Sequence, residues 1–97
     1  MTESDAVKQL EQIINESRLL EKYHLDRIGV FGSYVRGETA NDVDILVQIE
    51  SDYPRLLKFR TELEGLLHKK VDIVIEKFAN PIVLHRAKQD MIYVARH

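Results

Sequence analysis

The sequence predicts an α/β fold of the α+β kind, a small mixed β-sheet flanked by helices. Three observations predict it. The apolar runs RIGVF (27–31), VDILVQI (43–49) and VDIVI (71–75) have the length and composition of strands. Longer stretches around them repeat their apolar residues at helical spacing. The two kinds alternate along the chain, which favours helices layered on a small sheet.

The elements follow in order. Residues 4–23 read as a helix, with Ser4 as the N-cap and acidic Asp5 in the first turn. Val7, Leu10, Ile13, Ile14, Ser17 and Leu20 are assigned to its apolar face. His24-Leu25-Asp26 ends it, and Arg27 to Phe31 forms a short buried strand broken by Gly32. Tyr34 to Glu38 reads as a short helix beginning at Ser33. Val43 to Ile49 is the clearest strand. Ser51 to Pro54 makes a turn and a helix start, with Pro54 near the first helical position. Leu56, Phe59, Leu63, Leu66 and Leu67 continue that helix as a stripe. Val71 to Ile75 is a third strand. Asn80-Pro81 starts another helix, in which Val83, Ala87 and Met91 share a face, and Met91 to Ala95 reads as a closing strand.

Ninety-seven residues read as a single domain, 1–97. The hydrophobic fraction of 44% and charged fraction of 31% are those of an ordinary globular protein. There is neither an apolar run long enough to cross a bilayer nor the basic and apolar pattern of a signal peptide. Without cysteine there are no disulfides and no thiolate metal sites, so a cytoplasmic location is expected. The net charge of −2 argues against direct nucleic-acid binding, which needs a basic surface. It leaves room for a small nucleotide held by a metal and a few residues.

Between the first two strands lies Gly32 to Asp44, GSYVRGETANDVD. Residues i and i+2 of a strand point to one face, so Asp42 and Asp44 project together. Two close carboxylates repel unless a cation or a proton stands between them. Mg²⁺ answers that need, because it takes hard oxygen ligands from one or two carboxylates and from phosphates. Asp72 repeats the context of Asp44, Val-Asp-Ile followed by an apolar residue, so neighbouring strands would gather three carboxylates. Such a set suits the in-line displacement of a phosphoryl group. Gly32 lets a backbone come close to a phosphate, and a helix start at Ser33 would offer N–H groups to an anion. The Ser33 hydroxyl can donate to a phosphate oxygen, and Arg36 could neutralise a triphosphate.

Each part alone is commonplace. A Gly-Ser pair is most often just a turn. An Asp-x-Asp is usually a solvated strand end, and a single strand aspartate an edge charge. A lone arginine is a surface residue, and Lys69-Lys70 a solvated turn. What sets this chain apart is the combination and its order.

Phe31 to Glu38, followed by Asp42-Val43-Asp44-Ile45-Leu46-Val47, resembles the motif of minimal nucleotidyltransferases (MNT) of the DNA polymerase β-type superfamily. The likeness continues through Leu66 to Val74 and reaches Met91-Ile92-Tyr93-Val94. The resemblance implies a mixed sheet with helices on one side, Mg²⁺, and ATP as nucleotide donor. It implies that Gly32 and Ser33 hold the triphosphate and that Asp42 and Asp44 bind metal. Asp72 would be the third carboxylate and help deprotonate the acceptor, with Arg36 a further phosphate contact. Many relatives of this size are antitoxins paired with a HEPN-domain toxin, and are similar to enzymes that transfer AMP onto a toxin tyrosine.

The chain departs from the family pattern in one place. Eight residues, Tyr34 to Asn41, separate Ser33 from Asp42, where a longer stretch is usual, and Asn41 stands where a serine is common. Two rival readings therefore stay beside protein adenylylation. One is an antitoxin that covers a HEPN toxin without catalysis. The other is transfer to a small-molecule hydroxyl. The shortness of the chain points to a partner protein, or to a homo-oligomer, to complete the cleft.

Overall fold

Four strands build one sheet: β1 (Arg27–Phe31), β2 (Asp42–Val47), β3 (Lys70–Ile75) and β4 (Ile92–Ala95). Their order is β3-β2-β1-β4. The structure is a computed structural model, and it describes residues 5–38, 42–48 and 52–96. β1 runs antiparallel to both β2 and β4, with Phe31 opposite Asp44 and Gly29 opposite both Leu46 and Tyr93. β2 and β3 are parallel, with Asp44 opposite Asp72. Parallel neighbours need a crossover, and helix α3 (Tyr53–Leu67) supplies it. The sheet is mixed, as expected.

Alternation along the strands gives the sheet two different faces. Ile28, Val30, Val43, Ile45, Val47 and Val71 join one core cluster with side chains of α3 and of the N-terminal helices. Leu56, Phe59 and Leu63 of α3 are buried in that cluster, whereas Leu66 of the same expected stripe is exposed. Asp42 and Asp44 of β2, and Asp72 of β3, point to the other face. Helix α4 (Pro81–Asp90) serves that second face: its Val83 and Ala87 line a pocket with Phe31 and Gly32. The helices therefore do not all lie on one side, as the resemblance implied, because Leu46 and Gly29 on the second face are also buried.

The expected helix over 4–23 is broken. α1 spans Asp5–Ser17, and a four-residue helix α2 spans Leu19–Lys22. Arg18 between them adopts a left-handed conformation, with φ of 53°. The Ser17 hydroxyl donates to the carbonyls of Ile13 and Ile14 at 2.8 and 3.3 Å, which loosens the last turn. The break lets the adjacent Leu19 and Leu20 both be fully buried, which one continuous amphipathic face could not do. Ser4 lies outside the described residues.

α3 starts as its sequence implies: Pro54 is in the first turn, and the Asp52 side chain accepts from the Arg55 N–H at 3.2 Å. α4 starts on Asn80, whose side chain accepts from the Ile82 N–H at 2.8 Å. A single 3₁₀ turn, Glu76–Phe78, joins β3 to α4.

Candidate active site

The end of β1 turns sharply at Gly32, whose φ is 84°. Only glycine occupies that region without strain. Tyr34 to Glu38 do not form the expected short helix. They make a compact series of turns, with the Val35 and Arg36 N–H groups both donating to Gly32 O. Gly37, with φ of 78°, ends the coil after one turn, too early for a helix to propagate. Tyr34 anchors this loop: it is buried in the core, and its hydroxyl donates to Ala6 O at 3.0 Å. The Ser33 hydroxyl makes no hydrogen bond among the described residues. It stands one residue from the turn glycine.

The carboxylates lie on the same face as this turn. A β-carbon built on Gly32 would stand 2.6 Å from Asp44 Oδ2. The absence of a side chain at position 32 thus brings the loop backbone against the Asp44 carboxylate. Asp72 is in register with Asp44 on the adjacent parallel strand, and Asp42 is two residues before Asp44. Burial pushes the Asp44 carboxyl above the usual carboxylate range, and the charges of Asp72 and then Asp42 push it further. The structure thus contains the electrostatic conflict that the sequence implied. Lys70 Nζ reaches Asp72 Oδ1 only at 3.9 Å and from an exposed position, so it relieves little of that conflict.

The donor set consists of hard oxygens, which suits Mg²⁺ and excludes a thiolate metal. Among the described residues no three His, Cys, Asp or Glu side chains are gathered closely enough to cage a cation alone. The set therefore fits a cation that takes its remaining ligands from phosphates and water, which is the usual habit of Mg²⁺.

Arg36 points elsewhere. Its Nε donates to Glu38 Oε2 at 2.9 Å and its Nη1 to Asp90 Oδ2 at 3.0 Å. It borders the pocket of about 260 Å³ lined by Phe31, Gly32, Val83, Arg86, Ala87 and Asp90. The structure thus brings Gly32, Ser33, Asp42, Asp44 and Asp72 to one region and ties Arg36 to its rim. Residues 39–41, which include Asn41, lie outside the described residues.

Two contributors were missed from the sequence. Glu64 Oε2 accepts the Val71 N–H at 2.8 Å and so fixes the start of β3 one residue before Asp72. Asp90 holds Arg36 from the end of α4. Neither has a local sequence signal, because each works across the fold.

Comparison with known proteins gives the arrangement a context. Residues 8–96 match the family model described as polymerase beta, nucleotidyltransferase. Protein adenylyltransferase MntA of Thermococcus cleftensis is 38% identical over 95 residues, covering 91% of this chain and 95% of that protein. A chain of the crystal structure of a toxin–antitoxin with AMP-PNP matches with a TM-score of 0.69 at 25% identity, over 90% of this chain and 73% of that one. The Shewanella oneidensis complex of a tri-AMPylated HEPN toxin with its MNT antitoxin contains a chain of the same fold, at a TM-score of 0.64 and 22% identity, over 90% and 73% of the two chains. No helix among the described residues is long and apolar enough to cross a membrane.

Proposed function

The chain belongs to the polymerase β nucleotidyltransferase family, and from that premise we propose that it is an antitoxin that transfers AMP from ATP, with Mg²⁺, to a tyrosine hydroxyl of a HEPN toxin. The observation that carries this reading is the register of Asp44 with Asp72, with the Gly32 backbone against the Asp44 carboxylate. The relatives support the rest: one is named a protein adenylyltransferase, and one solved toxin–antitoxin holds an ATP analogue.

In this reading Gly32 and Ser33 receive the triphosphate, the glycine by close backbone approach and the serine by donating from its hydroxyl. Asp42, Asp44 and Asp72 would hold Mg²⁺. Bound there, it would neutralise charge on the triphosphate and on the departing pyrophosphate. The acceptor oxygen attacks the α-phosphorus and forms the new P–O bond. The bond from that phosphorus to the bridging oxygen breaks, and pyrophosphate leaves. Asp72 helps take the hydroxyl proton. It lies on β3, at the end of the sheet order, where among the described strands none stands between it and an arriving protein. Catalysis is then mainly positioning and charge neutralisation.

The test is to incubate the protein with Mg²⁺, ATP labelled at the α-phosphate, and a HEPN-domain protein of the same organism. Label on a tyrosine of that protein is the expected result. No transfer to a folded, binding-competent partner would sink the proposal. The rival reading, neutralisation by cover alone, is favoured by the capture of Arg36 in ion pairs. Replacing Asp42 and Asp44 together with Asn separates the two, since unchanged neutralisation would mean that binding suffices.

A further inference from the structure

The junction between the 3₁₀ turn and α4 places Phe78, Ile82 and Val83 at the surface, 61%, 66% and 51% exposed. The helix start does not need them there. Asn80 and Pro81 make the cap, and the buried residue of α4 is Ala87. Single exposed apolar side chains are ordinary, but three in so short a segment form a patch.

Val83 connects this patch to the candidate site. It lines the same pocket as Gly32, and Gly32 abuts the Asp44 carboxylate. Arg86 lines that pocket too, is exposed, and makes no ion pair among the described residues. The patch therefore has a positive charge on its rim. A small-molecule acceptor would fill the pocket and leave Phe78 and Ile82 in water. An acceptor carried on a protein would bring a surface with it, and these side chains lie where that surface lands.

We infer that Phe78 and Ile82 form the docking surface for the acceptor protein, receiving an apolar segment flanked by an acidic residue that meets Arg86. This inference rests on the reading that the acceptor is a protein. A second exposed apolar pair, Tyr53 and Leu57, lines a separate pocket with Ile73 and Ile75. Ile73 and Ile75 pack toward the main core, on the face of the sheet opposite Asp44 and Asp72. That pair serves as the control.

The experiment compares three proteins: the wild type, F78S/I82S and Y53S/L57S. Affinity for a HEPN-domain protein of the same organism is read by surface biosensor. AMP-PNP binding is read by calorimetry, and AMP transfer by label. For F78S/I82S the partner affinity should fall by about tenfold or more, as for the loss of interface anchors. Its AMP-PNP binding should equal that of the wild type, and Y53S/L57S should keep its partner affinity. That pattern supports the surface whether or not AMP is transferred, so a failure of transfer counts against the reaction alone. Three results would overturn the inference: F78S/I82S affinity within about threefold of wild type, an equal loss in Y53S/L57S, or no affinity of the wild type for the HEPN protein.

Discussion

The backbone of Gly32 is pressed against the carboxylate of Asp44, so that a β-carbon at position 32 would stand 2.6 Å from Oδ2. The same glycine has a φ of 84°. Gly32→Ala therefore meets two penalties. The left-handed backbone costs about 1–2 kcal/mol for a residue with a side chain. The added methyl also displaces the Asp44 carboxylate, which can move because it is the free end of a side chain. Thermal unfolding is expected to show both penalties, and a raised KM for ATP with a lowered kcat the displacement of the carboxylate. Combining Gly32→Ala with Asp44→Ala should recover only the steric share of the stability. A double variant as stable as Asp44→Ala alone would show that the backbone was not strained.

Asp44 is expected to trade stability for function. Its carboxyl is held above the usual range by burial, then by Asp72 and Asp42. A raised folded-state pKa means that folding favours the neutral form. The stability this contributes is fully present below the ordinary Asp pKa and is lost as pH rises through the folded value. At neutral pH, with Mg²⁺ chelated and nucleotide absent, Asp44→Asn should therefore melt at a higher temperature than the wild type. The gap should narrow as pH falls through the carboxylate range. The same variant should lose about 100-fold or more in AMP transfer. A wild type that melts higher than Asp44→Asn at neutral pH would show that the conflict is already relieved.

The register of Asp44 with Asp72 was legible because the two strands repeat one local pattern, Val-Asp-Ile, and parallel neighbours repeat a face. The starts of α3 and α4 were legible from Pro54 and from Asn80-Pro81, whose preferences are local. The break at Arg18 was not. Val7, Leu10 and Ile14 fit one helical face whose periodicity runs on through Leu20, whereas burying the adjacent Leu19 and Leu20 together requires a break. The short helix expected after Ser33 failed for a reason visible in the sequence, a second glycine at position 37. The attachment of Arg36 was half visible. Glu38 is two residues on, but Asp90 is 54 residues away and reaches Arg36 only through the fold.

Arg36 offers a test of its own role. Glu38 and Asp90 hold its guanidinium at 2.9 and 3.0 Å. Both pairs are exposed and screened by solvent, so neither holds the guanidinium firmly. If Arg36 contacts the triphosphate, these carboxylates compete with ATP for it. Asp90→Asn should then lower the KM for ATP, by up to about fivefold, with kcat and melting temperature little changed. A raised KM would instead identify the Arg36–Asp90 pair as a fastener that holds the Gly32–Ser33 loop to α4.

Glu64 tests how far the site depends on the start of β3. Its Oε2 accepts the N–H of Val71, a fully buried residue, at 2.8 Å. Glu64→Ala leaves that N–H without a partner, which costs about 1–3 kcal/mol. Glu64→Gln keeps an acceptor oxygen at the same reach and should restore most of the loss. Because Asp72 is the next residue, Glu64→Ala should also lower kcat for AMP transfer more than it raises the KM for ATP. The Val71 amide should exchange its hydrogen faster in Glu64→Ala than in Glu64→Gln. If kcat is unchanged while Val71 exchanges faster, Asp72 is held by its pairing with β2 alone, and the α3 end of the crossover contributes stability without shaping the site.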